Sequence, residues 1–229
     1  MQTEPTGFRG RVVVIAGGRG GLGQAVVPLF VQAGAQVVLV DRQGAAAPPE
    51  GVLSVQADVT EEGGVRRMVE EAHRRTGRVD VLVNLVGGFA TGRLIETDLA
   101  TWQRMATVNL STAFLLSKAV LPSMLERRAG RILHVAARAA VEPFPGAAAY
   151  IVAKAGLVAM VRTLALELAG SGVTVNGVLP GTMDTPANRE SMPRADPAKW
   201  VKPDAVAEAL LFLASDAAGS INGALIPVG

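Results

Sequence analysis

The 229-residue chain has no cysteine, one tyrosine, two tryptophans and two histidines, and aromatic residues make up only 4% of it. Without cysteine there are no disulfides, no thiol nucleophile and no cysteine-ligated zinc, and the composition suits a reducing compartment. His73 and His134 stand far apart and lack cysteine companions, so no metal site is expected. Charge is sparse as well: 18% of residues are charged, with 22 basic against 20 acidic groups and a formal net charge of +2. That scarcity excludes a disordered, solvating chain, and the near balance gives no basic groove for nucleic acid. No apolar run follows Met1-Gln2-Thr3-Glu4-Pro5, so no secretory signal is expected and a cytoplasmic location is. One stretch, 20–40, carries no charge and is long enough to span a bilayer. Its Gly20, Gly21, Gly23, Pro28 and Gly34 fit a glycine turn, a helix and a strand better than a membrane segment.

What is plentiful is apolar material: 49% hydrophobic residues and a mean hydropathy of +0.33. A chain of this mass buries roughly 70% of its extended surface, and these residues can fill such a core. Short β-branched runs at 11–16, 36–40, 52–57, 79–83, 131–136 and 173–178 read as strands. Several are apolar without alternation, as parallel strands covered on both faces should be. Helical patterns at 22–33, 61–76, 99–106, 110–128, 150–169 and 204–214 lie between them. This alternation predicts an α/β chain: a Rossmann-type, doubly wound parallel sheet of about seven strands with helices on both faces. No linker or repeat divides residues 1–229, so one domain is expected, with an N-terminal arm at 1–10. Ala45-Ala46-Ala47-Pro48-Pro49 reads as a short loop. The proline-rich stretch 182–202 is the longest irregular segment and a candidate lid over a substrate.

Ala16-Gly17-Gly18-Arg19-Gly20-Gly21-Leu22-Gly23 follows the first strand and opens the first helix. Glycines there allow the backbone to approach a pyrophosphate, and the helix start offers unpaired N–H groups. Asp41, ending the second strand, can accept from adenosine ribose hydroxyls and would repel a 2′-phosphate, which favours NAD(H). Arg19 and Arg42 could pair with such a phosphate, so NADP(H) stays open. Asp58 can accept from an adenine amino group or cap a turn. Tyr150 and Lys154 are four apart on a helix and share a face. An ammonium about 4 Å away is worth about 4 kcal/mol at an effective dielectric of 20, enough to bring a phenol toward neutral titration and acid catalysis. His134, on an apolar strand, reads as a packed, hydrogen-bonded histidine. Phe89 and Trp200 can line a slot for a planar substrate or simply pack.

Together these residues resemble the short-chain dehydrogenase/reductase family over essentially the whole chain. The family's glycine triplet corresponds to Gly17, Gly21 and Gly23, with Ala16 where threonine is usual. Asp58-Val59 and Asn84-Leu85-Val86-Gly87 resemble its adenine-side and fourth-strand motifs. Asn109 matches an asparagine that holds a lysine-linked water. Tyr150 and Lys154 match the catalytic acid and its ribose-gripping partner, and Pro180-Gly181 with Thr185 matches the segment that fixes the nicotinamide carboxamide. The resemblance also implies a homodimer or homotetramer built through helices 110–128 and 150–169. Where the family has a catalytic serine, this chain has Ala137. A subgroup, quinonoid dihydropteridine reductase and its bacterial relatives, shares that alanine. It also shares Gly87-Gly88-Phe89, with tryptophan in place of Phe89, and the run Asp184-Thr185-Pro186 to Trp200. An electron-poor quinonoid ring needs less polarisation than a ketone, so one missing donor is tolerable there.

The expected function is therefore an NAD(P)H-dependent reductase transferring hydride to a conjugated C=N or C=O acceptor, a small molecule such as a quinonoid dihydropteridine. Two alternatives stand beside it: an ordinary carbonyl reductase or alcohol dehydrogenase, and a nucleotide-binding sensor or scaffold with weakened catalysis.

Overall fold

The computed structural model describes residues 7–43, 48 and 50–229. Of the expected arm, residues 1–6 lie outside the described residues, as does all of the Ala45–Pro49 loop except Pro48. Seven strands, β1 (Val12–Ala16), β2 (Gln36–Asp41), β3 (Val52–Gln56), β4 (Val81–Asn84), β5 (Gly130–Val135), β6 (Val173–Pro180) and β7 (Leu225–Val228), form one parallel sheet in the order β3-β2-β1-β4-β5-β6-β7. Every residue of β1 and β6 is buried; β1 accordingly runs apolar without alternation, while β6 buries Thr174 and Asn176 among its apolar residues.

Seven helices connect these strands: α1 (Gly23–Gln32), α2 (Glu62–Thr76), α3 (Leu99–Ala106), α4 (Thr112–Glu126), α5 (Ala148–Glu167), α6 (Pro186–Ser191) and α7 (Pro203–Ala214). One core layer packs Met68, Leu116, Val120, Met124, Leu157 and Val161 from α2, α4 and α5 against the sheet; the other packs Phe30, Val206 and Leu210 from α1 and α7. The strand order reverses between β1 and β4, so the crevice at their carboxyl ends is where an α/β sheet of this kind holds ligands.

Several elements differ from the sequence reading. Phe8 belongs to the core rather than to a loose arm: it is 3% exposed and meets Phe30 edge to face at 5.3 Å. The helices expected at 99–106 and 110–128 join through a π turn, Thr107–Ser111. Helix α5 starts at Ala148, two residues before the expected start at Tyr150. Segment 182–202 is not irregular throughout, because α6 and the 3-10 turn Pro197–Lys199 lie within it. Stretch 20–40 divides into turn, helix and strand as expected. By length and composition alone, Leu99–Glu126 and Ala148–Glu167 could each cross a membrane, yet both pack one face on the sheet.

Candidate active site

The glycine-rich turn is shaped by contacts no side chain could share. Gly17 has a φ of +78°, and a Cβ there would come to 3.0 Å from the Val86 backbone nitrogen. At Gly23 a Cβ would fall 2.0 Å from the Gly18 carbonyl oxygen, so the first turn of α1 closes directly on the loop. The N–H groups of Gly21, Leu22 and Gly23 donate to no described residue. Three unpaired donors at a helix start, reached through glycine, fit a pyrophosphate and were foreseeable from the motif.

Asp41 stands beside this turn, at the end of β2. Its carboxylate accepts from the backbone N–H groups of Arg19, at 3.4 Å, and Gln43, at 3.3 Å, and the Arg19 guanidinium donates to the Gln43 carbonyl at 3.1 Å. Asp58 accepts the Thr60 hydroxyl at 2.6 Å and the Thr60 N–H at 3.0 Å through the same oxygen. The Thr60 hydroxyl is the main cause of its lowered pKa. The turn-capping role is therefore filled through Oδ1, while Oδ2 accepts from no described residue. Val59, next to it, is buried.

Asn84 turns inward. Its Oδ1 accepts from Val86 N–H at 3.0 Å, and its Nδ2 lies 3.3 Å from Nδ1 of His134, whose Nε2 lies 3.0 Å from the Ser117 hydroxyl. The hydroxyl also reaches the Ala113 carbonyl at 2.7 Å. If that hydroxyl donates to Ala113, His134 donates through Nε2 and accepts through Nδ1, so a neutral ring satisfies the whole chain. Burial, aided by the Lys154 charge, pushes His134 down to about 3. Asn84 thus fixes the Leu85–Gly88 loop under the crevice rather than pointing its amide into it.

On the opposite side of the crevice, the π turn carries Asn109. Its amide donates to the carbonyls of Met105 and Gly88 and accepts from Gly88 N–H, at 3.0–3.1 Å. The wide turn passes the Thr112 N–H to Thr107, and the Asn109 side chain takes over the Met105 carbonyl. π turns of this kind recur at functional sites. A Cβ on Gly87 would lie 3.1 Å from Asn109 Oδ1 and 3.3 Å from Lys154 Nζ, so a side chain there would press on both groups.

Lys154 is 5% exposed and donates to the Val135 carbonyl at 2.7 Å; burial pushes its pKa down to about 8. The Tyr150 ring packs edge to face on Phe89, with centroids 4.9 Å apart and planes at 80°. Here the structure corrects the electrostatic expectation. Burial holds the Tyr150 phenol up at about 12, and the bond that Lys154 makes among the described residues goes to the Val135 carbonyl, not to the phenol. Desolvation outweighs the Coulomb attraction that spacing alone suggested. At neutral pH the phenol carries its proton, as a group that donates during reduction must.

Ala137, buried at the end of β5, presents a methyl where a hydroxyl was sought. Pro180 closes β6, and Gly181 N–H donates to Val228. Thr185 caps α6 by accepting from Asn188 N–H at 3.3 Å, and its side chain presses on Gly21: a Cβ there would lie 2.9 Å away. The 182–202 segment is pinned at its base by Asp184 N–H to the Val201 carbonyl and Val201 N–H to the Thr182 carbonyl, both 2.8 Å. Asp184 takes two bonds from Arg189, at 2.6 and 3.0 Å, and one from Lys202 at 2.9 Å, which hold its carboxyl well below the usual range. Trp200, partly buried beside this base, makes no ring contact with Phe89 or Tyr150 among the described residues. The Lys154–Val135 bond, Ser117 and the Asp184 clamp were not foreseen, although Thr185-Pro186 is a helix-start signal that could have revealed α6.

Residues 16–229 match the family described as Enoyl-(Acyl carrier protein) reductase. The 3-oxoacyl-(acyl-carrier-protein) reductase of Thermotoga maritima is 32% identical, over 96% of this chain and 97% of its own. The meso-2,3-butanediol dehydrogenase of Serratia marcescens is 34% identical, over 96% of this chain and 94% of its own. Among solved structures, the aldohexose dehydrogenase of Thermoplasma acidophilum superposes with a TM-score of 0.88 at 27% identity, over 96% of this chain and 92% of its own.

Proposed function

The chain belongs to the short-chain dehydrogenase/reductase family, and on that premise we propose that it is an NAD(H)-dependent reductase of small conjugated C=N or C=O acceptors, quinonoid dihydropteridines among them. The observation that carries this reading is the pairing of a half-buried, proton-bearing Tyr150 with a buried methyl group at position 137. An acceptor at such a site has one hydroxyl donor instead of two. Losing one oxyanion-type donor costs about 3–4 kcal/mol for an ordinary carbonyl. An electron-poor conjugated acceptor depends less on that second bond.

The residues present suit a dinucleotide. Gly17 and the free N–H groups of Gly21, Leu22 and Gly23 would take the pyrophosphate. Asp41, Asp58 and Val59 would take the adenosine end, and Pro180, Gly181, Thr185 and Lys154 the nicotinamide end. Bound in reduced form, the dinucleotide supplies hydride. Asp41 favours NAD(H), while Arg19 and Arg42 leave a place for the phosphate of NADP(H). Tyr150 gives its proton to the reduced acceptor. Lys154, shared between the Val135 carbonyl and the crevice, steadies the phenolate that remains, and Asn109 holds the loop beside it. Phe89 offers the acceptor a flat wall.

The relatives named as a 3-oxoacyl reductase and a butanediol dehydrogenase favour a second reading, a reversible enzyme of ordinary carbonyls and alcohols. Stopped-flow NADH oxidation separates the two. Turnover of quinonoid dihydropterin with little response to Ala137→Ser supports the first; turnover of simple ketones, raised by Ala137→Ser, supports the second. NADH binding with no turnover of either class would instead indicate a sensor. We further propose a cytoplasmic homodimer or homotetramer joined across α4 and α5, where Phe114, Leu121, Leu125, Met160 and Leu164 form an apolar groove on the outer surface.

A further inference from the structure

Behind the crevice, His134 sits in a buried polar chain whose direction is fixed from one end. The Ser117 hydroxyl lies 2.7 Å from the Ala113 carbonyl, an oxygen with no proton to give, so the single hydroxyl proton is committed there. The hydroxyl oxygen therefore accepts from His134 Nε2–H at 3.0 Å, which leaves Nδ1 with a lone pair. That lone pair faces Asn84 Nδ2 at 3.3 Å across the β4–β5 pair, where Asn84 and His134 are register partners. Asn84 must then turn its nitrogen to the histidine and its Oδ1 to the Val86 N–H, at 3.0 Å. Ser117, His134 and Asn84 are all buried, on the sheet face covered by α4. Apolar side chains would fill this space with no orientation to satisfy, whereas a fully satisfied buried chain specifies one arrangement.

What the chain specifies is the loop 85–88. Leu85 N–H donates to the Ala16 carbonyl at 2.9 Å, and the Val86 nitrogen lies 3.0 Å from where a Cβ on Gly17 would stand, so the loop backs onto the cofactor turn. Gly87 lies beside Asn109 and Lys154, and Phe89, just beyond, packs on Tyr150. A displacement of Val86 is thus passed to three sides of the crevice. Misplacing reacting groups by about 1 Å costs on the order of 10²-fold in rate. We propose that His134 is a positioning residue: by holding Asn84 in one orientation, it sets the loop that places the dinucleotide against Tyr150. The effect on reduction rests on the reductase reading above; the effect on the loop does not.

The test is a pair of substitutions that divide the imidazole. In His134→Asn the new amide stands where Nδ1 stands and can still accept from Asn84; in His134→Gln it reaches the Nε2 position and keeps only Ser117. Each buries one amide, so a purely structural role predicts similar losses for both. In the full-length protein saturated with NADH, single-turnover reduction of quinonoid dihydropterin or cyclohexanone, whichever the wild type reduces, should fall about tenfold or more in His134→Gln, with acceptor affinity within about threefold. His134→Asn should stay within about threefold of the wild-type rate. Amide hydrogen exchange in segment 84–90 of the cofactor-free protein should rise about tenfold or more in His134→Gln and little in His134→Asn, with β1 and β2 unchanged in both. Equal rates in the two variants, or rates that follow their stabilities in urea rather than the bond to Asn84, overturn the proposal. So does exchange that rises alike in both or in neither. Should His134→Gln not fold, His134→Leu, which also loses the Asn84 bond, is read against His134→Asn by the same criteria. A wild-type protein that reduces neither acceptor overturns the reductase reading by itself, and exchange then decides: a rise confined to the variant without the Asn84 bond supports the proposal, and any other pattern overturns it.

Discussion

His134→Leu probes the floor of the crevice and has a pH signature. Wild-type His134 is fully buried and neutral, with its pKa pushed down from 6.5 to about 3. Between those values the unfolded chain binds a proton that the folded chain refuses, so stability falls as pH falls through this window. At 1.36 kcal/mol per unit, this residue removes about 2 kcal/mol by pH 5, about 3 kcal/mol by pH 4 and about 4 kcal/mol by pH 3, where the folded ring is itself half protonated. Leucine has no such term. It does strand the Asn84 amide, which loses its His134 partner, while Ser117 keeps the Ala113 carbonyl. An unpaired buried donor costs about 1–3 kcal/mol. The variant should therefore be less stable than wild type by about 2 kcal/mol at pH 7, equal to it near pH 5 and more stable below. Urea unfolding followed by Trp102 and Trp200 fluorescence, at one protein concentration from pH 4 to 7, measures the difference. A gap that stays constant across that range would refute the neutral, proton-refusing histidine.

Three further outcomes are expected. Gly23→Ala places a Cβ 2.0 Å from a backbone oxygen that no rotamer change can move, so the unfolding temperature should drop by several degrees and NADH affinity at least tenfold. Gly20→Ala, whose Cβ meets nothing nearer than 3.5 Å, is the matched control in calorimetry and fluorescence titration. Asp41→Ser removes the carboxylate that repels a 2′-phosphate and leaves Arg19 and Arg42 in place; the NADH-over-NADPH ratio of kcat/KM should fall at least tenfold, and an unchanged ratio would remove Asp41 from cofactor choice. Phe114→Glu with Leu125→Glu puts two charges into the α4–α5 groove, so light scattering should show dissociation to a smaller species, and unchanged mass would place the interface elsewhere.

The parts of this molecule legible in its sequence are those fixed by local chemistry. Glycines between a strand and a helix must form a tight turn, and residues four apart on a helix must share a face; hence the cofactor turn, Tyr150 and Lys154 could be located from spacing. β7 was invisible because it is a four-residue edge strand interrupted by Pro227, a residue that argues against a strand anywhere but at a sheet edge. Thr185 and Pro186 announced α6 by cap chemistry, but the surrounding prolines masked them. The π turn at Asn109 has no sequence signature, since an α-helical register would read the same. Tyr150 shows the deeper reason for the remaining differences: four-residue spacing gives a distance to a charge but not how much water is excluded around the ring. The Val135 carbonyl matters only because β5 and α5 bring it to Lys154, a contact between residues 19 apart in sequence.

The most direct measurement is single-turnover oxidation of NADH by Tyr150→Phe, paired with NADH binding by the same protein. Phenylalanine keeps the packing against Phe89 and removes only the transferable proton. NADH affinity should stay within about threefold of wild type while acceptor reduction falls by 10²- to 10⁴-fold, the range for losing a general acid. Reduction at the wild-type rate with affinity intact would mean that the proton comes from elsewhere and that the account of this site is wrong.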